Sequence, residues 1–263
     1  MMWADELEIA KGLAVEAGES IIEIYNRDRA VEVEYKEDCS PLTEADKASN
    51  SVIVSGLRSS FPNYAILSEE EKDHLSRLNS DVCFIVDPLD GTKEFLKRNG
   101  QFTVNIALSY RHEAVMGVIY VPVTRQLYYA VKGKGAFFEC AGSTPIRMSV
   151  SNRTERSSLR VVMSSSHGCI QMDELIEKYN LKNLVKAGSS LKGCMIAQGE
   201  ADVYYRFNPT MEWDTAAMQC IVEEAGGIFR QMDGTRMFYN RENSVNEKGF
   251  YMINREENLF IVS

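Results

Sequence analysis

The sequence predicts a mixed α/β protein, α+β in its first half and α/β in its second, with an antiparallel sheet followed by a mixed one. Three patterns carry this. An amphipathic helical repeat opens the chain, short β-prone runs separated by turn residues fill its middle, and strands alternate with helical stretches from about residue 158. A chain of 263 residues can form one large domain or two closely packed halves; we adopt two layered halves, 1–153 and 154–263.

Leu7, Ala10, Leu13, Ala14, Ala17, Ile21 and Ile24 keep helical spacing among Glu6, Glu8, Lys11, Glu16, Glu19 and Glu23, which gives an amphipathic core helix. Ala48, Val52, Ile53 and Leu57 repeat the pattern in a second helix. Thr103 to Leu108, Ala114 to Val121, Leu127 to Val131 and Gly135 to Cys140 are β-prone runs divided by Arg111-His112-Glu113, Pro122-Val123-Thr124-Arg125 and Lys132-Gly133-Lys134, the pattern of an antiparallel meander. Beyond a boundary near residues 149–154 come strand Leu159 to Met163, helix Met172 to Tyr179, a strand at Val185, helix Ser189 to Gln198 and a strand at Tyr204. Ala216, Ala217, Cys220, Ile221 and Ala225, closed by Gly226-Gly227, make a last helix with a glycine stop.

The chemistry concentrates in Asp87-Pro88-Leu89-Asp90-Gly91-Thr92. This hexapeptide follows the buried-strand run Val82 to Val86 and precedes a helix-forming segment, so it reads as a strand-to-helix turn. Two carboxylates three residues apart, with a proline fixing φ between them, can converge on one point, and the Leu89 carbonyl can join them. Hard oxygen donors without thiolate or imidazole suit Mg²⁺ or Mn²⁺. Gly91 and Thr92 would open the helix and offer free N–H groups to a phosphate oxygen. The competing reading is an ordinary turn, with Asp90 capping the helix and Asp87 in solvent.

Three further acidic sites suit the same cluster. In Ser68-Glu69-Glu70-Glu71, after the apolar Tyr64 to Leu67, Glu69 or Glu70 can reach a cation, whereas Glu71 reads as solvated surface. Asp214, in the first turn of the last helix, can cap that helix, ligate, or do both, beside a Trp213 read as packing. Asp46, near the start of the second helix, can cap it or accept a proton from the Thr92 hydroxyl. Glu69, Asp87, Asp90 and Asp214 with the Leu89 carbonyl suffice for a two-metal phosphoesterase site.

In this order, Asp46, Ser68-Glu69-Glu70, Asp87 to Thr92 and Trp213-Asp214-Thr215-Ala216-Ala217 resemble the Mg²⁺-dependent, lithium-sensitive inositol monophosphatase superfamily. Asp90 to Phe95, followed by Gly100 to Leu108, resembles its CysQ-type 3'(2'),5'-bisphosphate nucleotidases, and the likeness runs from about residue 5 to 253. The resemblance implies a layered αβαβα sugar-phosphatase-like fold. It implies metal ligation by Glu69, Asp87, Leu89, Asp90 and Asp214, with Glu70 positioning water or a further ion, and a Thr92–Asp46 pair that orients and deprotonates the nucleophilic water. Inhibition by lithium and calcium is implied as well.

Substrate choice is expected from Gly188-Ser189-Ser190-Leu191-Lys192, a strand-to-helix turn, and from Arg206. Ser189 and Ser190 can bind a second phosphate or a ribose; Lys192 adds charge, and Arg206 presents a planar fork suited to phosphate. Surface salt bridges are the competing reading for both cations, and Tyr204 or Tyr205 is a candidate neighbour of the base or ribose. The expected substrate is adenosine 3',5'-bisphosphate, cleaved to AMP and phosphate, with 3'-phosphoadenylyl sulfate as a related one. An inositol or sugar monophosphatase and a nucleotide sensor without turnover are the alternatives.

The net charge of −9 argues against binding long nucleic acids, and the sequence has no glycine-rich loop of a nucleoside triphosphatase. There is no apolar run long enough for a membrane span and no secretion or transit signal, so cytoplasm is expected, with peripheral membrane association left open. Cys39, Cys83, Cys140, Cys169, Cys194 and Cys220 form no Cys-x-x-Cys pair and His74, His112 and His167 no zinc spacing, which favours free thiols.

Overall fold

A computed structural model describes residues 2–27, 33–36, 41–166 and 168–261. In chain order they form α1 (Ala4–Tyr25), β1 (Val33–Tyr35), β2 (Pro41–Thr43), α2 (Glu44–Ser60), β3 (Ala65–Ser68) and β4 (Val82–Asp90). Next come α3 (Thr92–Leu96), β5 (Thr103–Tyr110), β6 (Glu113–Val121), β7 (Gln126–Val131), β8 (Gly135–Cys140) and β9 (Ile146–Arg147). Then follow β10 (Arg160–Ser164), α4 (Ile170–Tyr179), β11 (Asn183–Ala187), α5 (Leu191–Ala197), β12 (Val203–Arg206) and β13 (Thr210–Met211). The chain closes with α6 (Glu212–Glu224), β14 (Ile228–Gln231), β15 (Val245–Asn246) and β16 (Phe250–Ile253).

One sheet has seven strands in the order β3-β4-β5-β6-β7-β8-β9; the other has five, in the order β11-β10-β12-β16-β14. The expected meander is present, since β4 to β9 pair antiparallel in sequence order. The sheet is not wholly antiparallel, because β3 joins its edge parallel to β4. The five-stranded sheet is mixed: β10 runs parallel to β11 and β12, while β16 is antiparallel to β12 and β14. Two short pairs, β1 with β2 and β13 with β15, lie outside these sheets.

Side-chain alternation builds the layers. Phe102, just before β5, and Val104, Ile106 and Leu108 on it pack with Ala10, Ala14, Ala17, Ile21, Ile53 and Leu57 of α1 and α2. The opposite face of the sheet gives Ile85, Ala107, Ile119 and Ala130 to a second cluster with Cys194 and Ile196 of α5 and Ala216, Ala217, Cys220 and Ile221 of α6. Val162, Tyr204, Phe229 and Met252 of the five-stranded sheet close that cluster from the other side. Met172 and Leu175 of α4 cover the far face with Val161, Val203 and Tyr251. The order is therefore helix, sheet, helix, sheet, helix.

α6 presses on the larger sheet. A Cβ on Gly117 of β6 would lie 2.4 Å from the Ala217 carbonyl, so only glycine admits this approach. At the far end of α6, the Glu224 carboxylate accepts from the backbone N–H groups of Gly133 (2.8 Å), Lys134 (3.1 Å) and Gly135 (2.7 Å) in the β7–β8 hairpin. Cys83 and Cys220 are buried in the core as expected, and Cys39 and His167 lie outside the described residues. None of the described helices is long and apolar enough to cross a membrane.

Candidate active site

Parallel pairing places the acidic groups. Because β3 and β4 run together, with Ser68 opposite Val86, both strands end at one rim, and Glu69 follows β3 there beside Asp87. The sequence reading ended the strand at Val86. Instead β4 continues to Asp90, with Asp87 opposite Asn105, Asp90 opposite Thr103 and an irregular register between. Three steps on β4 match two on β5. A bulge at Pro88 and Leu89 accommodates the missing proline N–H and re-aims the two carboxylates. α3 is also only five residues long, so an anion at Gly91 and Thr92 would meet local N–H groups more than an extended helix dipole. Gly91 has φ +94°, and a side chain there would crowd Ser189 and the Gln101 carbonyl.

Asp214 reaches the same point from the N-terminal turn of α6. One of its oxygens, Oδ2, accepts from the Met211 N–H at 2.6 Å, so the helix-capping role is present. Carboxylate oxygens of Asp87, Asp90 and Asp214 lie within 4.8 Å of one another. Burial and then the charge of Asp90 push the Asp214 carboxyl up to about 7, and burial followed by the charge of Glu69 raises that of Asp87. Glu69 lines the cavity, and its pKa is raised, first by burial, against the attraction of Lys36. Lys36 binds Glu69 at 2.7 Å and Glu70 at 2.6 Å, and burial pushes Glu70 up to about 7. Glu71 pairs with Arg58 on the surface.

Asp46 does two jobs. Its Oδ2 accepts from the Thr43 N–H at 2.7 Å and the Thr43 hydroxyl at 2.5 Å, closing a capping box at the start of α2. Its Oδ1 accepts from the Thr92 hydroxyl at 3.1 Å. Burial raises the Asp46 pKa against the hydrogen bonds from Thr43 and Thr92. The Leu89 carbonyl faces the same hydroxyl at 3.4 Å, and the Leu89 N–H donates to Asp87 Oδ1 at 3.1 Å.

Parallel pairing also builds the second wall, since Ser164 at the end of β10 lies opposite Ala187 at the end of β11. The carboxyl ends of parallel strands open on a crevice in such sheets. Asp87, Asp90 and Asp214 share a cavity of about 250 Å³ with Ser189, Lys192, Tyr204 and Arg206. Lys192, 9 % exposed, donates to the Ser189 carbonyl and lies 5.6 Å from the Tyr204 ring centre. Its pKa is lowered, first by burial, with Asp90 opposing and Arg206 reinforcing. Neither Lys192 nor Arg206 forms a surface salt bridge among the described residues. The Arg206 Nε and the Ser189 hydroxyl are buried without a hydrogen-bond partner among the described residues. The Ser190 hydroxyl differs from the expectation, because it donates to Asp90 Oδ2 at 2.8 Å. Tyr205 is excluded from the cavity, its hydroxyl bonded to the Phe260 backbone, so of the two tyrosines only Tyr204 lines it.

Sequence reasoning missed Lys36, Asn105 and Glu94. Asn105 donates to Asp90 Oδ2 at 3.2 Å, and a polar residue in an apolar strand was the available signal. Glu94 is buried on α3 and accepts from the Ser166 hydroxyl across the cavity mouth, while Gln101 accepts from Ser165 at 2.9 Å.

The five layers and the carboxylates at the strand ends define a sugar-phosphatase-like class of α/β protein. The chain belongs to the inositol monophosphatase family, whose description it matches over residues 2–258. It is 40 % identical over 245 residues to the 3'(2'),5'-bisphosphate nucleotidase CysQ of Salmonella typhimurium, covering 93 % of this chain and 98 % of the relative. With CysQ of Escherichia coli it shares 39 % identity over 239 residues, 90 % of this chain and 95 % of that one. The crystal structure of CysQ from Bacteroides thetaiotaomicron superposes with a TM-score of 0.83 at 39 % identity, covering 96 % of this chain and 98 % of that one.

Proposed function

We propose that this chain is a divalent-cation-dependent 3'(2'),5'-bisphosphate nucleotidase that removes the 3'-phosphate of adenosine 3',5'-bisphosphate to give AMP and phosphate. The activity named for its CysQ relatives supports this reading. The observation that carries it is one cavity holding three clustered carboxylates and two cations, the buried Lys192 and the half-buried Arg206. A monophosphate gives the cation pair nothing to bind, whereas a bisphosphate can place one phosphoryl on each wall. 3'-Phosphoadenylyl sulfate also carries an anion at both ends and fits the same description.

The acidic wall fits Mg²⁺ or Mn²⁺, because crowded carboxylates, one buried and the others half-buried, need a counter-charge and the described residues lining the cavity include no cysteine or histidine. Asp87, Asp90, Asp214, Glu69 and the Leu89 carbonyl would hold it. Such a cation neutralises charge on the reacting phosphoryl and makes water a better nucleophile. The Thr92 hydroxyl donates to Asp46, so its oxygen is left to accept a proton from the attacking water and aim it at phosphorus. Asp46 stabilises positive character passed through that hydroxyl. The new bond joins the water oxygen to phosphorus and the bond from phosphorus to the ribose 3'-oxygen breaks; the proton lost by the water passes through the Thr92 hydroxyl to Asp46, and the ribose oxygen takes one from solvent water. Arg206 and Lys192 hold the remote 5'-phosphate, with Gly91, Thr92 and Ser189 around the nucleotide.

Phosphate release from adenosine 3',5'-bisphosphate and from inositol 1-phosphate, with and without Mg²⁺, tests the assignment. Release should require Mg²⁺ and favour the bisphosphate by ~10-fold or more in kcat/KM, the scale of one charged hydrogen bond. Equal or better release from the inositol ester would make the chain an inositol phosphatase. No release from either would leave a binding protein.

A further inference from the structure

Asp90 differs from the other clustered carboxylates in where its donors come from. Asn105 on β5 is 1 % exposed and all its heavy polar atoms are engaged. Its Oδ1 accepts from the Thr103 hydroxyl at 2.9 Å, and its Nδ2 donates both to Asp90 Oδ2 at 3.2 Å and to the Ser190 oxygen at 2.9 Å. Ser190, also 1 % exposed, donates its own proton to that same Asp90 oxygen at 2.8 Å. Two close donors thus converge on Oδ2, with the Thr103 hydroxyl a longer third at 3.5 Å, and none of the three reaches Oδ1. Asn105 comes from the seven-stranded sheet, whereas Ser190 comes from the turn that follows β11 of the five-stranded one.

An asparagine in a strand covered on both faces is costly unless every polar atom is satisfied. Its arrangement here has a geometric product: with one oxygen pinned from two directions the carboxylate cannot rotate, and its remaining oxygen keeps one heading. We infer that Asn105 and Ser190 are positioning residues that hold Asp90 in its cation-binding orientation, and that this orientation forms only when the two sheets are docked. The inference rests on Asp90 being a cation ligand. Partners of ligating groups commonly govern cation affinity as strongly as some ligands do.

The test uses chelator-stripped full-length protein and Mn²⁺, which suits the same oxygen donors and can be followed directly by calorimetry and electron paramagnetic resonance. Asn105→Ala should bind Mn²⁺ ~10–100-fold more weakly, with its unfolding temperature in chelator near the wild-type value and its nucleotide KM at saturating Mn²⁺ unchanged. Ser190→Ala should weaken binding in the same direction. The double variant should lose less than the product of the two losses, because both act on one oxygen. Wild-type Mn²⁺ affinity in folded Asn105→Ala and Ser190→Ala overturns the inference, as does a lowered unfolding temperature without any change in affinity, which assigns the pair to packing alone. Should Asn105→Ala not fold, Ser190→Ala decides by the same readings. A wild-type chain that takes up no Mn²⁺ overturns the cation site itself and this inference with it.

Discussion

On the acidic wall each carboxylate has protein donors aimed at it: Leu89 N–H at Asp87, Asn105 and Ser190 at Asp90, Met211 N–H at Asp214 and Lys36 at Glu69. On the cationic wall the Arg206 Nε and the Ser189 hydroxyl have no such partner among the described residues, although both atoms are buried. Burying a donor unsatisfied costs about 1–3 kcal/mol, so the second wall carries a penalty that the first avoids. The difference separates two tasks. The acidic wall fixes geometry for a chemical step, whereas the cationic wall keeps donors in reserve for an anion.

The largest break in that contrast should come from Asp90→Asn. Removing one charge from the cluster should reduce phosphate release by ~10³-fold or more, on the scale seen for groups that stabilise developing charge. Circular dichroism should show an intact fold, and substantial remaining turnover would remove Asp90 from the ligand set. A smaller and more selective effect is expected from Arg206→Ala. Loss of a charged hydrogen bond predicts a ~10–100-fold fall in kcat/KM for the bisphosphate, with monophosphates little affected. Equal losses on both substrates would mean that Arg206 supports the wall and does not read a second phosphate.

The smallest effect concerns protons. Asp214 and Glu70 are pushed up to about 7 from ordinary values of 3.8 and 4.5, so between about pH 4 and 7 the folded chain holds more protons than the unfolded one. The contribution to stability is therefore fully present below the unfolded pKa and is lost as pH rises through the folded one. In chelator the unfolding temperature should fall by a few degrees across that window, and added Mg²⁺ should stabilise more at pH 8 than at pH 5, releasing protons as it binds. A thermal-unfolding series with and without Mg²⁺ checks both signs. A flat or rising curve in chelator would show that the acidic wall is less strained than its burial implies.

Much of this was legible in the sequence, and the limits were physical. Amphipathic spacing found α1 and α2, and turn residues between β-prone runs found the meander from β5 to β8, because these are local signals. The resemblance supplied a ligand list, and the structure gathers Asp87, Asp90 and Asp214 from positions far apart in the chain. β1, β2, β13 and β15 escaped notice because two or three residues carry no periodicity. The continuation of β4 through Pro88 was hidden by a residue that usually marks a strand's end. The partners of Lys36, Asn105 and Glu94 at Glu69, Ser190 and Ser166 lie 33, 85 and 72 residues away, beyond any local spacing rule, and for Asn105 the polar residue in an apolar strand was the one local sign.

The hairpin held by Glu224 has a consequence for how the chain can be divided. α6 follows β12 in sequence, yet it is fastened to the larger sheet by three backbone N–H groups and by the glycine gap at Gly117. A fragment ending at residue 153 would leave Ile85, Ala107, Ile119 and Ala130 uncovered, an oily surface prone to aggregation. The two pieces should therefore be recovered in soluble form only when produced together, each acting as the other's folding template.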